Sequence, residues 1–108
     1  MREYEMVLVV QPGLEDEGVN ALLGQVSQTI TAQGGQVLQI GQLADGTGQV
    51  GATESWKRRK LAYPIRHQHE GYYPVLRMQA GNEALAELER SLKLNEKVLR
   101  YLIVRVDE

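Results

Sequence analysis

The sequence contains no cysteine and no phenylalanine, and only three prolines and one tryptophan. Without cysteine there can be no disulfide, zinc–thiolate centre or thiol nucleophile, which fits a reducing compartment. The longest apolar run, Met6–Val10, is far short of the roughly 20 residues a membrane-spanning helix requires. The opening Met1-Arg2-Glu3-Tyr4-Glu5 has acids where a secretory signal needs a basic and then an apolar stretch, so a cytoplasmic protein is expected. Neither sign of charge dominates, since twelve Lys and Arg against fourteen Asp and Glu leave a formal net charge of −2. That balance argues against nucleic-acid binding by the whole surface and leaves room for a local patch. The 108 residues, 43% of them hydrophobic, suit a single domain spanning 1–108 with its own core.

What the chain does have is one concentrated basic block. Trp56-Lys57-Arg58-Arg59-Lys60 runs directly into Leu61-Ala62-Tyr63-Pro64-Ile65. Clustered guanidinium and ammonium groups beside an aromatic-containing strand can hold phosphate. The plainer reading is a charged strand end that discourages edge-to-edge aggregation.

Periodicity orders the remaining elements. Tyr4–Val10 alternates and stops at Pro12-Gly13, which predicts a strand. Over 14–33 the apolar positions Val19, Leu22, Leu23, Val26 and Ile30 recur at helical steps, with acids in the first turn and Gly34-Gly35 as the stop. Gln36–Leu43 alternates again with one irregularity. Residues 44–55 hold three glycines and little apolar bulk, and read as a flexible Gly-rich loop interrupting the second strand. Lys60–Arg66 is a strand that Pro64 confines to an edge, with Leu61, Tyr63 and Ile65 on one side. A turn over His67–Gly71, a strand over Tyr72–Ala80, a helix N-capped by Asn82 with Leu85, Leu88 and Leu92 inward, and a strand over Val98–Val106 follow. The order β-α-β-β-α-β predicts an α+β, ferredoxin-like sandwich: a four-stranded antiparallel sheet with two helices on one face and the first and third strands central.

Such a sheet leaves one face uncovered. Parity assigns Glu5, Val7, Val9, Ala62, Tyr73 and Val75 to it, with Lys60, Arg66 and Arg77, a pattern suited to docking another protein. Base stacking on Tyr4, Tyr72 or Tyr73 is a weaker reading, because the third strand lacks the aromatic motif of RNA-recognition domains.

Other apparent motifs lose to context. Gly46-Thr47-Gly48-Gln49-Val50-Gly51 matches a dinucleotide fingerprint literally, but a basic segment and a Pro-containing strand follow it where a helix should open. His67 and His69 share one turn and lack partners to complete a tetrahedral metal set. Ser27, Ser55 and Ser91 have no adjacent base. No enzyme, metal or cofactor is expected.

Taken together, Met1-Arg2-Glu3-Tyr4-Glu5, Trp56 with Arg58-Arg59-x-Leu61-Ala62-Tyr63-Pro64-Ile65, Gly71-Tyr72-Tyr73, the helix Leu85–Leu94 and Asn95-Glu96-Lys97-Val98-Leu99-Arg100 resemble, in order and over essentially the whole chain, the bacterial small-subunit ribosomal protein six family. The resemblance implies the same split β-α-β fold. It also implies a non-catalytic role binding the central domain of small-subunit ribosomal RNA as a heterodimer with small-subunit ribosomal protein eighteen. Carried over by position, it places RNA contacts on Arg2, Arg58, Arg59, Lys93, Asn95, Lys97 and Arg100, and partner contacts on Ala62, Tyr63, Pro64 and Ile65. Three features depart from the family pattern: Lys57 after the tryptophan, the long 44–55 loop, and Pro74 in a central strand, where either pairing begins after it or a bulge absorbs it. A small ligand-binding or regulatory domain of the same fold, self-associating through its open sheet, is the alternative from a different class.

Overall fold

The computed structural model describes residues 2–14, 16–44, 49–51, 59–65 and 68–106; for residues 43, 44, 49–51, 59, 60 and 62–64 it describes the backbone alone. The elements are β1 (Arg2–Val10), α1 (Asp16–Ala32), β2 (Gln36–Ala44), β3 (Gln49–Gly51), β4 (Arg59–Ile65), β5 (Gln68–Gly71), β6 (Pro74–Ala80), α2 (Asn82–Leu94) and β7 (Val98–Arg105).

Alternation in β1 sends Tyr4, Met6, Leu8 and Val10 to one face, where all four are buried. The expected stripe of α1 is buried against them, and Ala84, Leu88 and Leu92 of α2 complete the same core with Leu76, Met78 and Val98. Both helices therefore lie on one side of the sheet. Helix α1 ends in a Schellman turn: Gly34 has φ of +84°, its N–H donates to the Thr31 carbonyl, and the Gly35 N–H donates to the Ile30 carbonyl. Helix α2 begins at its expected cap, one residue earlier than predicted. Asn82 is its first residue, and the N-cap is Gly81, which offers no side-chain hydrogen bond.

The main sheet runs β3-β2-β6-β1-β7, with the first and third long strands, β1 and β6, at its centre. Its four long strands are antiparallel and in the ferredoxin-like order, and three-residue β3 extends the β2 edge. The irregularity expected in β2 is a bulge between Val37 and Gln39. Pro74 opens β6 opposite Gln42, so a proline begins a central strand, a position where its missing donor is tolerated.

Three local expectations change. Within 44–55, Ala44 still belongs to β2, and Gln49–Gly51 pair back with Gln42–Ala44; residues 45–48 and 52–55 lie outside the described residues. The expected turn over His67–Gly71 contains a strand, β5. The Pro64 strand, β4, is not an edge of the main sheet. It pairs with β5 as a separate two-stranded ribbon, irregular between Lys60 and Ile65, where Pro64 cannot donate to a ladder.

Candidate nucleic-acid and partner interface

The link from α2 to β7 is held by hydrogen bonds at every residue. The Asn95 N–H donates to the Leu92 carbonyl at 3.2 Å, closing the helix, and the Asn95 carbonyl accepts the Val98 N–H at 3.1 Å. The Asn95 Oδ1 accepts the Lys97 N–H at 2.9 Å, so the side chain mimics a turn of backbone. From the end of β1, Gln11 donates its backbone N–H to the Lys97 carbonyl at 3.0 Å and its side-chain Nε2 to the Glu96 carbonyl at 2.9 Å. The turn is thereby clasped to the sheet, with Lys93, Lys97 and Arg100 exposed around it. Lys93 also sits in the last turn of α2, where the helix dipole favours a cation. A shallow groove of about 590 Å³ next to the turn is lined by Arg90, Ser91, Asn95 and Lys97, together with the carboxylates Glu87 and Glu96. A hollow of about 300 Å³ on the other side includes Lys93, Arg100 and Tyr101.

The basic block reaches the same end of the sheet through its backbone. Arg59 pairs with Gly71, the neighbouring Tyr72 bridges to Val10, and Val10 adjoins Gln11. Lys57 and Arg58 lie outside the described residues. Arg2 stands apart, paired with Ala80 at the opposite end of β1, about 26 Å away at the usual strand rise. The positions assigned to RNA thus fall into one cluster, Arg59, Lys93, Asn95, Lys97 and Arg100, and one outlier, Arg2.

The helix-free face carries Glu5, Val7 and Val9 from β1, Val75 and Arg77 from β6, and Leu102 and Val104 from β7, as the cross-strand register requires. Leu102 is 60% exposed and Val104 49%. Arg77 and Glu5 pair across it at 3.3 Å. At one end the β4–β5 ribbon covers this face: Leu61 is buried in a small cluster with Val9 and Leu99, and Ile65 and Tyr73 pack against it. Leu61 and Ile65, expected on the opposite side of the strand, meet the open face; the side chain of Ala62 and all of Arg66 lie outside the described residues. Of the partner-binding quartet, Ile65 is half-buried there, while Ala62, Tyr63 and Pro64 are placed by backbone alone in β4. Tyr4 and Tyr72 are core residues under the helices and unavailable for stacking.

Hydrolytic or metal chemistry finds no geometry among the described residues. They hold no group of three His, Asp or Glu able to bind a metal. His69 and Glu70 are exposed on β5, and His67 and Ser55 lie outside the described residues. Gln49–Gly51 of the glycine motif are strand, not the helix start a pyrophosphate requires. Sequence reasoning missed Gln11 and the Val9–Leu61–Leu99 cluster. Both join segments far apart in the chain, with 85 residues separating Gln11 from Glu96, and no local pattern signals such contacts.

Comparison with known proteins agrees with this fold. The family model "Ribosomal protein S6" matches residues 41–105. The small ribosomal subunit protein bS6 of Moorella thermoacetica is 38% identical over 108 residues, covering all of this chain and 97% of that one. Its counterpart from Symbiobacterium thermophilum is 35% identical over the full length of both. The crystal structure of 30S ribosomal protein S6 from Thermotoga maritima, 23% identical, superposes with a TM-score of 0.78 over 97% of this chain and 87% of that one, which supports the fold. On the family model and the full-length relatives, the chain belongs to the ribosomal protein S6 family, and is a structural, non-enzymatic protein of the small ribosomal subunit in the bacterial cytoplasm.

Proposed function

We propose that the chain binds the central domain of small-subunit ribosomal RNA, and does so as a heterodimer with small-subunit ribosomal protein eighteen. The observation that carries this reading is the exposure of Lys93, Lys97 and Arg100 around one turn, at the end of the sheet that the Arg59 backbone also reaches, in a chain of net charge −2. A local cationic edge on a slightly acidic protein engages phosphates without attracting nucleic acid over its whole surface. The neighbouring helix-free face supplies the protein contact. Exposed Leu102 and Val104 on edge strand β7 lie beside the central Glu5–Arg77 pair, and Leu61 and Ile65 of the ribbon pack at the Val9 end of the same face, giving apolar contact area next to a charged pair.

In this reading Lys93, Lys97 and Arg100 neutralise phosphates around the turn, the basic block Arg58-Arg59 adds further phosphate contacts, and Arg2 meets a separate stretch of RNA. Asn95 contributes by shaping the turn, because its Oδ1 is already bonded to the Lys97 amide. The test is the affinity for a transcript of the rRNA central domain, measured with and without protein eighteen across a salt series. Arg58→Ala with Arg59→Ala is expected to weaken binding and flatten the dependence on salt. Unchanged affinity and slope would remove the basic block from the RNA role. A stable homodimer indifferent to both the transcript and protein eighteen would favour a self-associating regulatory domain instead.

A further inference from the structure

The geometry points to Gln11 as a positioning residue for RNA binding, holding the Glu96-Lys97 backbone so that Lys97 is presented to phosphate. This inference rests on the reading that Lys97 contacts rRNA. Gln11 is the first residue after β1, and it is joined to the turn twice. Its N–H reaches the Lys97 carbonyl at 3.0 Å, which any residue but proline at this position could do. Its side-chain Nε2 reaches the Glu96 carbonyl at 2.9 Å, which requires an amide or another donor of similar length. The turn's own bonds, from the Lys97 N–H to Asn95 Oδ1 and from the Val98 N–H to the Asn95 carbonyl, fix its internal shape. Among the hydrogen bonds described at this turn, those from Gln11 are the ones that tie the Glu96-Lys97 backbone to the end of β1. A lysine on a free turn must lose backbone freedom when it meets phosphate; one on a clasped turn has lost it during folding.

Gln11 carries no charge, so its loss and the loss of Lys97 have different signatures. Gln11→Met preserves length and removes the donor without adding charge; Gln11→Ala removes the side chain altogether. Both are expected to weaken binding to the central-domain transcript about three- to tenfold, the scale of one hydrogen bond, with the salt slope unchanged. Lys97→Ala is expected to weaken binding and also lower the slope, by up to about 0.9. Amide exchange at Val98 should quicken in both Gln11 variants while the urea midpoint stays within error. Wild-type affinity in the Gln11 variants, with Lys97→Ala impaired, would overturn the inference. So would a fall in the urea midpoint that accounts for the lost affinity. If Lys97→Ala itself binds normally, the RNA role of the turn fails first and the positioning role falls with it.

Discussion

Glu5 and Arg77 face each other directly across the two central strands, Oε2 to Nη2 at 3.3 Å, in the middle of a sheet face, flanked by Val7, Val75, Leu102 and Val104. The pair is open to solvent, with side chains 31% and 44% exposed, so screening leaves it little energy. Glu5→Gln is therefore expected to change folding stability by less than about 1 kcal/mol in urea denaturation. A larger loss would mean the pair is more shielded than its exposure indicates.

Leu102 sits on the same face, 60% exposed, with little packing to lose. Leu102→Asp should leave stability within about 0.5 kcal/mol of the parent, as for most surface changes. If this face docks protein eighteen, the same change should weaken heterodimer formation at least tenfold by titration calorimetry, because a charge would be buried in an apolar contact. Normal heterodimer affinity would move the partner surface elsewhere.

Among the described side chains, Leu61 and Ile65 hold the ribbon on the sheet. Leu61→Ala removes the centre of the Val9–Leu61–Leu99 cluster and is expected to cost about 2 kcal/mol, with faster amide exchange in Gln68–Gly71. Gly71→Ala attacks the same junction from the backbone. A Cβ there would lie 2.8 Å from the Val10 carbonyl oxygen and push apart the Val10–Tyr72 bridge. We expect it to destabilise by more than about 1 kcal/mol; a neutral outcome would show that the bridge can shift without loss.

Arg2 and Lys97 occupy opposite ends of the molecule. Should both contact RNA, their alanine substitutions should add, with a coupling energy below about 0.5 kcal/mol in a double-mutant cycle of binding. Strong coupling would indicate that one RNA segment bridges the two ends.

Much of this was legible in residue order because the relevant forces are local. The alternation of Tyr4, Met6, Leu8 and Val10 and the stripe from Val19 to Ile30 each define a buried face, and two such units leave few ways to cover a sheet. The signature from Arg58 to Ile65 was legible for another reason: it is specific as a string. Parity failed at Leu61, since an interrupted strand need not resume in the same sheet. The helix start at Asn82 was displaced by one residue, because a cap depends on backbone angles at Gly81 that composition does not dictate.

By itself, then, the sequence determined the two helices, the four long strands of the main sheet, their handed order, the helix-side core faces and the family, all of which follow from periodicity, turn chemistry and residue identity within short windows. Only the tertiary structure decided that Pro64 lies in a separate ribbon, that Leu61 closes over Val9, and that Gln11 clasps the turn bearing Lys97. Those contacts depend on where distant segments arrive once the core has formed. Packing and hydrogen bonding across the finished fold choose them, and no short stretch of sequence carries that information.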